Sequence, residues 1–376
     1  MSGTSVDGID AALVSIPSQN SITVVETLFT PFQDKLRNQI NALAQTNWNI
    51  HGQSLTKCSD SELHHQLAQN YADASLALLR KANIKPSQVC AIANHGQTVR
   101  HEPNATPPFS LQLGDAQLIA NKTGIRTIGQ FRQADLAAGG QGAPLMPAFH
   151  QAVFQYQGNK LNHDNTFALN IGGIANISQL GNKVTGFDTG PGNTLLDQWI
   201  LRHQGLSYDK NGSWAASGKT IIPLLDALLD TPYFSAPHPK STGPDYFNLK
   251  WLESLCTQAS IDLECYVPQD VQATLLSLTV KTISNSIREL MSDNTSAEVF
   301  ICGGGAHNTA MLKQLSAELP KCVIKTTDAV GIPADWVEAA GFAWLGYCHQ
   351  HNINSNLPEV TGAKQQVVLG ESFEPE

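Results

Sequence analysis

Charge is scarce in this chain: only 15% of its 376 residues are Asp, Glu, Lys or Arg, and no run of Lys and Arg occurs. With a formal net charge of -9 and a pI near 5.7, charge-driven binding to nucleic acid or to an anionic membrane is not expected. No stretch approaches the roughly 18 apolar residues of a membrane span. The opening Met1-Ser2-Gly3-Thr4-Ser5 has neither the basic segment nor the apolar core of a secretory leader. Seven cysteines, at 58, 90, 256, 265, 302, 322 and 348, are odd in number and free of any Cys-x-x-Cys pair. Free thiols in a reducing compartment, the cytoplasm, are therefore predicted. Cys348, His349 and His351 lack a fourth ligand at metal-site spacing, so no structural metal is expected there.

What the chain does contain is apolar residues (41%), 29 glycines and 19 prolines, the composition of a compact enzyme. Its length exceeds the size at which one core usually stops growing, which predicts two domains. Several apolar strands run straight into glycine-rich polar loops. One is Val184 to Phe187, followed by Asp188-Thr189-Gly190-Pro191-Gly192-Asn193-Thr194 and then Leu195, Leu196 and Trp199 at helical spacing. Strand-to-helix junctions are where open α/β folds place ligands, since helix-start amides are free and glycine lets a substrate reach the backbone. Asp188 at the strand end is then either a base facing a cleft or a cap for a helix beginning near Pro191.

The same design recurs. Gly3-Thr4-Ser5-Val6-Asp7-Gly8-Ile9-Asp10 leads into a strand, Ala11 to Ile16, that returns through Ile22 to Phe29; it reads as a phosphate-holding loop or an ordinary turn. Val89 to Ala93 delivers Asn94-His95-Gly96-Gln97-Thr98, where His95 suits a sugar contact or a polar core niche. Thr166 to Ile171, Ile177 to Leu180 and Val184 to Phe187 form a second strand group, interrupted by Gly172-Gly173 and joined by a hairpin at Gly181-Asn182. Val299 to Cys302 stops at Gly303-Gly304-Gly305-Ala306-His307-Asn308, which reads as a nucleotide-approach loop or a tight turn. The echo between the groups suggests a duplicated α/β unit. Phe131 to Pro147, with Arg132 and Asp135 either paired or lining a cleft, suits a crossing between lobes, and the boundary is set there. The loops around Tyr208 to Trp214 and Tyr233 to Tyr246 are large enough to shape a pocket or a subunit contact. Asp335 to Trp344 reads as a helix whose Glu338 either faces the cleft or is a solvated or capping carboxylate.

Taken in order, GTSVDGID, NHGQTVRH, FRQADLAAGGQGAP, NIGGIANIS, GFDTGPGNTLLD, YDKNGSWAASG, ICGGGAHN and ADWVEAAGFAWLG resemble the anhydro-N-acetylmuramic acid kinase family over nearly the whole chain. The resemblance implies an α/β fold of two similar actin-like (ribonuclease H-like) lobes with a central cleft for ATP and substrate. It divides the chain into 1–133 plus 352–376 as the first lobe and 134–351 as the second. It further implies a cytoplasmic homodimer of cell-wall recycling that converts 1,6-anhydro-N-acetylmuramic acid to N-acetylmuramic acid 6-phosphate. On this resemblance Asp188 is the catalytic base. The phosphate loop is Gly3, Thr4, Ser5, Val6, Asp7, Gly8, Ile9 and Asp10, with Asp7 holding Mg2+ through water. Gly172 and Gly173 form a second phosphate turn, and Gly303, Gly304, Gly305 and Asn308 cradle the nucleotide. His95, Gln97, Thr98, Arg132, Asn193 and Glu338 are implied on the sugar side. Two other readings of these segments are a hexose or amino-sugar kinase without ring cleavage and a non-catalytic nucleotide-responsive protein. One departure stands out: family members carry an apolar strand ahead of the MSGTS segment, whereas this sequence starts at that Met1. Weaker ATP binding and lower stability are the expected consequences.

Overall fold

The computed structural model describes residues 1–3, 6–44, 58–157, 165–181, 183–238, 240–243, 245–291 and 295–376. From the N-terminus come β1 (Gly8–Ser18), β2 (Ser21–Pro31), α1 (Asp34–Ala44), α2 (Cys58–Lys81), β3 (Ile92–Ala93), β4 (Gln97–Glu102), β5 (Phe109–Leu113), α3 (Ala116–Thr123), β6 (Thr127–Gly129), α4 (Gln133–Ala137) and α5 (Met146–Gln157). Next are β7 (Thr166–Ile171), β8 (Ile174–Leu180), β9 (Thr185–Pro191), α6 (Thr194–Gln204), α7 (Ser213–Ser217), α8 (Ile222–Leu229), α9 (Pro232–Ser235), α10 (Leu249–Gln258), α11 (Pro268–Leu290), β10 (Ala297–Cys302), α12 (Thr309–Glu318) and β11 (Cys322–Thr326). The chain closes with α13 (Val337–Gln350), α14 (Pro358–Thr361) and β12 (Glu371–Phe373). No helix among the described residues is long and apolar enough to cross a membrane.

Two compact units result, Met1–Gln157 with Trp336–Glu376 and Gly158–Asp335. These divisions fall at 157/158 and 335/336, whereas the sequence places them at 133/134 and 351/352. Packing explains the difference. Helix α13 lies on α5, β1 and β3, the Phe149 and Trp344 rings are 6.0 Å apart, and a Cβ on Gly341 would lie 2.4 Å from Met146 Sδ. The 137–147 segment, expected to cross between lobes, is bonded inside the first unit, where Gln141 N–H donates to Thr361 O (2.8 Å) and Lys364 N–H to Ala138 O (2.9 Å).

In the second unit the five strands run β11-β10-β7-β8-β9, with β7, β8 and β9 antiparallel and β10 and β11 parallel to β7, the arrangement of a ribonuclease H-like lobe. The core gathers Phe167, Leu169 and Ile171 from β7, Val299 and Ile301 from β10, Leu195 and Trp199 from α6, and Leu275, Leu278 and Ile283 from α11. α11 begins at Pro268, whose missing N–H is harmless in a first turn. α6 ends on Gly205 at φ 68°, a left-handed conformation glycine adopts without a Cβ penalty.

In the first unit the sheet is divided. β1 and β2 pair as an antiparallel hairpin, Ala11 opposite Leu28, as the apolar patterning predicts. β3 lies parallel to β6, and β12 antiparallel to it, in the order β12-β6-β3. The expected strand Val89 to Ala93 shrinks to Ile92–Ala93, because the residues before it turn at Pro86–Gln88. A cavity of about 580 Å³ opens between the hairpin and β3; Ala12, Val14, Ile16, Val89, Ala91 and Ala343 line it. The remaining core, including Ile9, Leu36, Ile40, Leu67, Tyr71, Leu113 and Ile119, packs α1, α2 and α3 against the strands.

Candidate active site

The second unit positions Asp188. Strand β9 does not stop at Phe187 but continues to Pro191, so Asp188 lies inside a strand, opposite Asn176. The helix reading of this carboxylate is excluded: α6 starts at Thr194 with Asn193 as its cap residue. Register passes from Asn176↔Asp188 to Ala175↔Gly190, leaving Thr189 as the extra residue of a β-bulge. Bulges break the strict alternation of side chains and re-aim them. The Thr189 hydroxyl donates to Ala175 O (3.2 Å), which pins the irregularity. One carboxylate oxygen of Asp188, Oδ2, accepts the Thr242 N–H at 2.9 Å; Oδ1 has no partner among the described residues. Burial raises the Asp188 pKa to about 6, and the Thr242 amide opposes part of that rise. A carboxylate tuned there is ionised at neutral pH and still basic enough to take a proton in a reaction.

Beside it, amides at the approach to α6 are spent within the fold. Gly192 and Thr194 N–H donate to Gly173 O (2.9 and 3.1 Å), and Asn193 N–H donates to Gly172 O (2.8 Å). The next two helix-start amides, of Leu195 and Leu196, donate to no described residue. Gly192 must lack a side chain, since its Cβ would sit 2.3 Å from Gly172 O. The Gly172-Gly173 turn itself is open: a Cβ on either residue would meet nothing closer than 3.7 Å, and neither amide donates to a described residue. Such a turn fits phosphate oxygens. Gly303 is held at φ 77° against Asn170 Oδ1 and Ile171 O, and Gly304 lies next to Asn193, whose side-chain amide donates to Ile171 O (3.2 Å). The two glycine turns and Asn193 thus meet around the end of β7. Asn308 is different: it is buried, and its Oδ1 caps α12 by accepting the Met311 N–H (3.0 Å). Its part in the loop is structural. His307 pairs with Asp335 (2.8 Å), tying the same loop to the chain that follows β11.

The first unit carries the remaining predicted residues. Thr4 and Ser5 lie outside the described residues. Met1 N–H donates to Asp10 O (2.9 Å) and Asp10 N–H to Met1 O (2.8 Å), Gln97 Nε2 donates to Gly3 O (3.2 Å), and buried Ser2 bonds the Tyr71 hydroxyl. Val6 sits at φ 51°, rare for a β-branched residue and a mark of backbone strain. Gly8 and Ile9 serve packing: a Cβ on Gly8 would clash with Thr30 O at 2.5 Å, and Ile9 is core. Asp7 is exposed, which suits a carboxylate that holds a hard cation through water.

Farther along, Arg132 donates from Nε and Nη2 to His95 Nε2 (3.2 and 3.0 Å) and from Nη1 to Gly142 O (2.8 Å). It does not pair with Asp135, which is fully buried and accepts from Gly142 N–H, Asn356 and Thr361 (2.7, 2.8 and 2.7 Å). Because His95 Nε2 accepts, the ring proton belongs on Nδ1. Among the described residues that buried atom makes no hydrogen bond of ordinary geometry, although the Gly96 backbone acts on the His95 ring, and Gln97 Oε1 has no partner. A buried donor and acceptor left unpaired are costly unless a ligand satisfies them. Burial first, then the Arg132 charge, holds His95 neutral, well below its usual pKa. Its ring lies 4.4 Å from that of Phe342. Glu338 is raised by burial, with the opposing attraction of Arg132 and the N-terminal ammonium. Thr98 is engaged in the β4–β5 hairpin, accepting from Gln112 (3.1 Å). Sequence reasoning missed Tyr233, Lys240 and Thr242, named there only as part of a loop; their one signal was a large polar segment following a candidate base.

The anhydro-N-acetylmuramic acid kinase family model matches residues 1–375. An anhydro-N-acetylmuramic acid kinase of Haemophilus influenzae is 47% identical over 382 residues, covering 99% of this chain and 96% of that protein. One of Pasteurella multocida is 46% identical over 378 residues, covering 100% and 96%. Solved structures align more loosely: a ROK family glucokinase from Streptomyces griseus in complex with glucose and AMPPNP gives a TM-score of 0.34 at 11% identity, covering 89% of this chain and 98% of that one.

Proposed function

This chain belongs to the anhydro-N-acetylmuramic acid kinase family, and from that premise we propose a mechanism in which Asp188 is the only carboxylate the ring opening requires. The Asp188 carboxylate takes a proton from a water molecule as that water's oxygen bonds to the anomeric carbon of 1,6-anhydro-N-acetylmuramic acid. The bond from that carbon to O6 breaks on the opposite face. The departing O6 attacks the γ-phosphate of the co-substrate ATP, the bond to the β-phosphate oxygen breaks, and ADP leaves with N-acetylmuramic acid 6-phosphate as the product. Charge building on O6 passes into the phosphoryl group, so no second acid has to protonate it.

The observation that carries this reading is the setting of one side chain: a partly buried carboxylate on a bulged strand, one oxygen held by a backbone amide and the other without a partner among the described residues, tuned to about 6. Gly172, Gly173, Gly303, Gly304 and Gly305 are assigned to ATP, with the Gly3 to Asp10 loop. Asp7 would hold Mg2+ through water, and the bound ion would supply charge neutralisation at the phosphates. His95, Gln97, Arg132 and Glu338 are assigned to the sugar, His95 Nδ1–H as donor and Gln97 Oε1 as acceptor, as are Thr98 and Asn193. The reading carries with it a cytoplasmic homodimer acting in cell-wall recycling.

Turnover in oxygen-labelled water tests it. One labelled oxygen per product, bonded to the anomeric carbon, is expected. Unlabelled product, or phosphorylation of a reducing sugar at a comparable rate, would assign the chain to a simple sugar kinase.

A further inference from the structure

β9 is an edge strand of its sheet, and a bulged edge strand has unpaired backbone on one side. At Asp188 that side is occupied. Asp188 N–H donates to Lys240 O (3.0 Å), Thr242 N–H donates to Asp188 Oδ2 (2.9 Å), and the Tyr233 hydroxyl donates to the Asp188 backbone oxygen (2.7 Å). The residues making these bonds are themselves joined through one ammonium group. Lys240 Nζ donates to Tyr233 O (3.1 Å) and Phe234 O (2.9 Å), carbonyls of the short helix α9. It also lies 5.1 Å from the centroid of the Tyr233 ring and 5.9 Å from that of Phe187. Phe234 fills the space a side chain on Gly190 would need, 2.8 Å from its Cβ position.

We propose that Lys240 is a positioning residue for the Asp188 carboxylate, acting through Tyr233 and Thr242. Lys240 accepts from the amide of Asp188 and anchors the tyrosine that donates to its carbonyl. Backbone is thereby clamped on both sides of one side chain, and the next amide but one is brought to Oδ2. With Oδ2 engaged, Oδ1 is presented to the attacking water in one orientation. Two features suit lysine to this position, since carbonyls at a helix C-terminus attract a cation and the faces of Phe187 and Tyr233 do the same. Asp188 is thus confined by Tyr233 and Lys240, with Glu289 attracting the ammonium from beyond and His238 stacked on the far ring, Phe187, at 4.9 Å. The inference rests on Asp188 being the base.

Lys240→Met keeps the length of the stem and removes the charge. In the full chain, kcat is expected to fall by roughly tenfold to a hundredfold, as misplacement of a reacting group by about an ångström does, with the KM for ATP within about twofold. The acid limb of the kcat profile should move to lower pH, because loosening the clamp relieves burial, the larger influence on Asp188. Lys240→Arg, which still donates to both carbonyls, should recover most of the rate, and Tyr233→Phe should show a smaller loss in the same direction. Unchanged kcat and acid limb in Lys240→Met would overturn the proposal, as would a loss matched by equal loss of ATP binding. Should Lys240→Met fail to fold, Tyr233→Phe carries the test: an unshifted profile overturns the proposal. Asp188→Asn run in parallel separates the two ideas. If it is dead while Lys240→Met is unaffected, the base stands and the clamp does not; if it is active, both fall.

Discussion

The two units build the same kind of sheet with different success. In the second, β7 has β8 on one side and β10 on the other, and Phe167, Leu169 and Ile171 are completely buried. In the first, among the described residues, β1 pairs with β2 and β3 with β6, and the cavity of about 580 Å³ lies between them. The apolar run Ala11 to Val14 and the pair Ile92 and Ala93 are consequently only partly buried. The apolar pattern is alike in both; what differs is whether a strand has neighbours on both edges. The difference teaches that burial energy in such a lobe depends on continuity of the sheet, since an apolar side chain contributes only in proportion to the area removed from water. The proposed roles are divided between the units. The unit with the continuous sheet holds the proposed base on its edge strand together with the two glycine turns assigned to ATP, and the unit with the open sheet holds the Gly3 to Asp10 loop and most of the residues assigned to the sugar.

The sharpest test of that functional division is Asp188→Asn. Turnover is expected to fall by roughly 10²–10⁴-fold, the usual contribution of a general base, with ATP binding by calorimetry changed no more than a few-fold. Retained activity would remove the base from the second unit. The structural side of the comparison is tested by a matched pair. Leu169→Ala, in the filled sheet, is expected to cost about 2–5 kcal/mol in denaturant unfolding, while Leu13→Ala, on half-open β1, should cost less than about 1.5 kcal/mol. Equal losses would contradict the difference in burial.

Smallest of all is the pH effect. Only the ionised carboxylate accepts a proton, so kcat should fall to half near pH 6 as acidity rises, and an acid limb below pH 4.5 would place Asp188 in an ordinary hydrated setting.

Much of the candidate site was legible because its parts are local in sequence. The Gly172-Gly173 turn and the Gly303 loop each follow an apolar strand whose end is read directly from pattern, and Asp188 follows the apolar run Val184 to Phe187, although its strand continues to Pro191. What was hidden depends on residues far apart. The bulge at Thr189 is a property of pairing with Ala175 and Asn176, not of either strand alone. Arg132 and Asp135, three positions apart, looked like a pair, yet each found a distant partner: Arg132 turned to His95, and Asp135 to Asn356 and Thr361. At the start of α6 the Asn193 and Thr194 amides were taken by carbonyls of the preceding glycine turn, a pairing that only the folded chain shows. Helix α13 carries the motif with Glu338, but only its packing on α5, β1 and β3 placed it with the first unit.

The sequence by itself determined most element types, the family and which carboxylate is proposed as the base, because periodicity, glycine placement and motif order are encoded residue by residue. Tertiary structure alone decided which oxygen of Asp188 is held, which polar atoms of Asp188 and His95 lack a partner among the described residues, and how much of each lobe's apolar surface is covered. Those outcomes depend on hydrogen bonds and burial between segments that no local pattern brings together.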